Sequence, residues 1–124
     1  MQINILFAWS WILSGLISGS IIGIFFHRQD WLGGYDSWRR RMLRLGHISF
    51  LGTGLLNLGY GLSIIVLQVP PETPFASLGF MLGAVTMPLV CFLSAWNIRF
   101  RHLFFIPVLS LLLATADFLW KGFH

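Results

Sequence analysis

Three histidines, His27, His47 and His102, each stand where an apolar run meets a basic stretch. Neutral imidazole nitrogens brought from different helices to one depth are what a helix bundle uses to ligate b-type haem iron, and they also suit copper or zinc. His47 is followed at intervals of seven by Gly54 and Gly61. Those glycines fall on its helical stripe and would leave room for a flat macrocycle, with Asn57 near the same face. On this reading His47 is the anchor ligand, His27 or His102 the second, and haem b the expected cofactor. The plainer alternative is hydrogen bonding between helices or at a membrane interface, since His27 and His102 each adjoin an arginine.

The other reactive residue types are isolated. Asp117 lies four residues before Lys121, a spacing that lets the two pair along one helix face. Ser110 and Ala114 share that face and turn Asp117 toward other helices. Cys91 is the single cysteine, so packing is its expected role. Met81 and Met87 are too irregularly spaced for a copper path. With no Ser/His/Asp set, paired carboxylates or phosphate-cradling glycine loop, the expectation is no enzyme, and at most an electron-transfer role.

The elements that must position these residues follow from composition. Of 124 residues 56% are hydrophobic and only 10% charged, and mean hydropathy is +0.79. A soluble fold of this size could not hide that much apolar surface, whereas a bilayer selects for it. The pI near 10.3 would suggest nucleic acid in a soluble protein. Here seven of the eight basic residues fall in two connections, Arg28 to Arg44 and Arg99 to Arg101, which is the positive-inside pattern of a membrane chain, so no nucleic-acid partner is expected.

Four transmembrane helices are expected, at about 3–26, 45–69, 75–96 and 103–120, in an up-down bundle with both termini outside. Pro70 and Pro71 end the second span, and Pro71-Glu72-Thr73-Pro74 is an outer turn. Pro88 should kink the third span, and Pro107 sits in the first turns of the fourth, where proline costs least. Tryptophan placement agrees, with Trp9, Trp11 and Trp120 toward the outer interface and Trp31, Trp38 and Trp96 toward the inner one. The start of the chain lacks the positive region of a signal peptide, so the first run reads as a retained span. The expected location is a bacterial inner membrane.

The connection 28–44 is long enough for structure of its own. Asp36-Ser37 can cap a short amphipathic helix carrying Trp38, Met42 and Leu45 on one face, lying on the inner leaflet before span two. Arg39, Arg40, Arg41, Arg44 and Trp38 would then meet lipid headgroups. Helix association in lipid needs close backbone approach, and Gly15, Gly19, Gly23, Gly54, Gly61, Gly79 and Gly83 form the expected small-residue faces. The stretch from Arg39 through Gly46-His47 to Asn57, a histidine one turn inside a basic boundary, resembles in style small membrane cytochromes and accessory subunits of respiratory complexes. Three functions are expected on these grounds. The first is an accessory subunit of a membrane electron-transfer or energy-conversion complex, packed against other transmembrane subunits or its own copies. The others are a stand-alone haem or metal-binding membrane protein, and an anionic-lipid-binding membrane organiser.

Overall fold

The computed structural model describes residues 2–70 and 74–123. Four α-helices account for most of them: α1 (Gln2–Phe26), α2 (Trp38–Leu67), α3 (Phe75–Trp96) and α4 (Phe105–Phe123). Short 3₁₀ turns at Trp31–Gly33 and Ile98–Phe104 precede α2 and α4, and no strand occurs among the described residues. All four helices are long and apolar enough to cross a membrane, which marks an integral membrane protein. The expected outer turn at 71–73 lies outside the described residues.

Local chemistry explains the helix boundaries. After α1, Leu32, Gly33 and Gly34 all adopt positive φ, and the two glycines make that reversal cheap. Ser37 has extended backbone and its Oγ accepts from the Arg40 N–H, the N-cap that starts α2. No breaker separates Trp38 from the apolar residues beyond, so the helix expected on the leaflet surface is continuous with span two and forms one 30-residue rod. Gln68 closes α2 in the left-handed region, at φ 52°. Pro88 lies within α3 and is fully buried, and Pro107 is the third residue of α4, as expected from its tolerance there.

Packing runs in sequence order: α1 lies on α2, α2 on α3 and α3 on α4, while α1 and α4 are not substantial neighbours among the described residues. Small residues set these contacts. A Cβ on Gly15 would lie 2.9 Å from Phe50 Cβ, one on Gly54 3.0 Å from Ile12, and one on Gly79 2.8 Å from Ala114 Cβ. Gly83 is likewise filled by Leu111, and Gly61 is buried. Gly23 does not serve packing within this chain, since nothing approaches within 4 Å of where its Cβ would be. Gly46 also proves to be a packing position, with Phe92 pressed against it. Between α2, α3 and α4, Tyr60, Ala76, Phe80 and Ala114 form a buried cluster, with Phe118 edge-on to the Tyr60 ring.

Candidate functional site: two polar clusters and a packed histidine

The first cluster is neutral. Asn4 near the start of α1, Asn57 of α2 and Ser77 near the start of α3 are all buried. Asn4 Nδ2 donates to Asn57 Oδ1 at 3.0 Å, and Ser77 Oγ donates to Asn4 Oδ1. Asn57 Nδ2 donates to the carbonyls of Thr53 and Phe80, both at 3.0 Å. Every amide group thus has a partner, as burial in apolar surroundings requires. Asn57 was legible as a polar residue near the His47 face; the role of Asn4 was not, because its partners lie 53 and 73 residues away.

The second cluster is cationic and is built on Arg40. Expected at the headgroups, Arg40 is instead only 2% exposed. Its guanidinium donates to the carbonyls of Phe26 (2.9 Å), Arg28 (3.1 Å) and Gln29 (3.4 Å), and it lies 4.6 Å from the Phe26 ring centroid. Those carbonyls belong to the end of α1 and the chain just after it, where main-chain acceptors lack intrahelical donors. One side chain therefore fastens the end of α1 to the start of α2. Arg44 is held similarly, donating to the Tyr35 carbonyl at 3.0 Å with its guanidinium 4.2 Å from the Tyr35 ring centroid. Arg39 and Arg41 are exposed. Trp38 is half-buried, its indole N–H donating to the Ser94 carbonyl at 2.7 Å, and so ties α2 to α3.

Of the histidines, His27 and His102 are exposed, while His47 is partly buried against α1. A Cβ on Gly19 would lie 2.8 Å from both imidazole nitrogens, so the absence of a side chain there is what admits the ring. His47 Nδ1 is buried without a hydrogen-bond partner. The glycine stripe expected to leave room for a macrocycle is occupied at Gly54 by Ala8 and Ile12 of α1. No group of three or more potential metal-ligating His, Cys, Asp or Glu side chains occurs among the described residues.

Two further placements concern tryptophan and the acid. Trp11, expected at an interface, points between helices, donating to the Ala84 carbonyl at 2.9 Å and stacking on Phe7; hydropathy alone does not reveal which way an indole faces. Asp117 pairs with Lys121 at 2.7 Å along α4. An apolar groove of about 770 Å³ runs between α3 and α4 past Leu78, Leu82, Val85, Ile106 and Leu113. A smaller crevice of about 500 Å³ opens beside the start of α2 and the end of α3. Comparison with family models, curated proteins and solved structures finds no match to this chain.

Proposed function

We propose that this protein is a small transmembrane subunit that packs laterally against other membrane-spanning subunits. The observation that carries this reading is the outer face of α2. Gly52 and Gly59 have nothing within 4 Å of where a Cβ would be, and they alternate with the exposed Ile48, Leu55, Leu56 and Leu62. A glycine inside a helix costs about 1 kcal/mol relative to alanine. Gly15, Gly19 and Gly79 recover that cost in contacts within the chain, whereas Gly52 and Gly59 recover it only when another helix approaches. The narrower expectation, an electron-transfer or energy-conversion assembly in a bacterial inner membrane, rests on His47 and on the style of the sequence around it.

Native electrophoresis of membranes solubilised in mild detergent tests the reading. The wild-type chain should migrate within a larger assembly, and G52L/G59L should release it without loss of helicity. A wild-type chain that is monodisperse and alone would overturn it. The proposed orientation is up-down with both termini outside and the basic connections in the cytoplasm. With Cys91→Ser as background, an impermeant thiol reagent on intact cells should label Gln68→Cys and spare Asp36→Cys. The opposite pattern would invert it.

A second reading, haem or metal on His47, is favoured by the unpartnered Nδ1. It predicts a reduction-sensitive Soret band, or stoichiometric metal, that His47→Ala abolishes. A colourless, metal-free protein after expression with haem supplied would remove this reading.

A further inference from the structure

The crevice beside the start of α2 is walled by three chain segments. Leu32 and Gly33 come from the reversal after α1, Ser37 and Arg39 from the start of α2, and Ala95 and Trp96 from the end of α3. Trp38 and Ile98 complete the lining. Its shape is fixed rather than incidental: the reversal is set by positive φ at Leu32, Gly33 and Gly34, and Trp38 is locked to α3 through the Ser94 carbonyl. Arg40, one residue on, directs both terminal guanidinium nitrogens at main-chain carbonyls. Arg39 is the crevice's only charged wall, and its guanidinium makes no hydrogen bond or ion pair with the described residues.

Charge and depth identify what such a crevice takes. Arg28, Arg39, Arg41 and Arg44 are concentrated on this connection, against two acids in the same stretch, Asp30 and Asp36. The two lining tryptophans sit at the ends of membrane-length helices, where indoles mark headgroup depth. Trp96 is 83% exposed and offers its ring to whatever lies alongside. A guanidinium matches a phosphate in geometry and charge, and the apolar wall of Leu32, Ala95 and Ile98 suits the glycerol and first methylenes below a phosphate.

We propose that this crevice binds the phosphate headgroup of one anionic phospholipid, with Arg39 as its electrostatic contact and Trp38 and Trp96 as its walls. The site is independent of the lateral contact on α2, because Gly52 and Gly59 are not among its lining residues.

Full-length protein purified in detergent and titrated with phosphatidylglycerol or phosphatidylcholine, read by native mass spectrometry, tests the proposal. One phosphatidylglycerol should be retained in preference to phosphatidylcholine. Arg39→Gln should lower that preference about tenfold, the scale of losing one direct charge-assisted hydrogen bond, with Arg39→Lys intermediate. Arg41→Gln, an exposed arginine outside the crevice, should leave it unchanged. Trp96→Ala should weaken retention of both lipids. Equal losses from Arg39→Gln and Arg41→Gln would reduce the effect to diffuse attraction and overturn the site. Displacement of the lipid by inorganic phosphate would overturn the lipid assignment, and no preference in the wild type would overturn both.

Discussion

The two polar clusters solve one problem, burying groups that need hydrogen bonds, in opposite ways. In the Asn4–Asn57–Ser77 cluster neutral side chains from three helices bond to one another, and the Asn57 amide nitrogen also donates to two main-chain carbonyls. At the Arg40 cluster a full positive charge is buried, its two terminal nitrogens held by main-chain carbonyls beside aromatic faces while Nε has no partner among the described residues. The neutral cluster carries a modest desolvation cost and yields modest net energy, because each amide could find another partner within lipid. The charged cluster has no such fallback. An uncompensated guanidinium, or carbonyls left without it, would be far more costly. Fold stability is thus expected to depend unequally on the two clusters, and the exposed arginines beside Arg40 are left for contacts outside the chain.

Substitution at Arg40 should break the comparison most severely. Arg40→Gln leaves the carbonyls of Phe26, Arg28 and Gln29 without their shared donor and should cost about 3 kcal/mol, in line with loss of a buried charged partner. Arg41→Gln next to it should cost almost nothing. Thermal unfolding in detergent, followed by circular dichroism, measures both, and equal effects would contradict the assignment of Arg40 as the fastening residue.

Asn57→Leu should come second, at about 2 kcal/mol, since it removes the acceptor for Asn4 and the donor to the Phe80 carbonyl. Combined with Asn4→Leu it should cost less than the sum of the single changes, as expected for residues in one network. Additivity in a double-mutant cycle would show that the two amides act separately.

The glycines sharpen the comparison at smaller scale. Gly19→Ala drives a methyl into the His47 imidazole and should cost about 1 kcal/mol or more despite alanine's better helix propensity. Gly23→Ala, one turn further along the same helix with open space at its Cβ, should be neutral or slightly stabilising. His47→Ala should relieve Gly19→Ala, and that rescue, read from the same melts, separates a specific clash from a general effect on α1.

The spans themselves were legible without a fold. Hydropathy and proline punctuation delimit α3 at Phe75–Trp96 and end α1 at Phe26, and the Ser37 cap was readable from its residue type. These signals are local, carried by residues within one turn of each boundary. The merging of the amphipathic segment into α2 was obscured because charge on one face reads as an interfacial helix, although nothing in the backbone interrupts it. What only tertiary structure decided is the rotation of each helix about its axis and its register against its neighbours. Arg39, Arg40 and Arg41 are identical in type, but each step along a helix turns the side chain by about 100°. Only the end of α1 lying against α2 determines that Arg40 faces carbonyls and its neighbours face outward. The same long-range register brings Asn4 to Asn57, turns Trp11 onto the Ala84 carbonyl and lays His47 across Gly19. Hydropathy contains none of this, because it records how apolar each helix is and not which residues of another helix it meets.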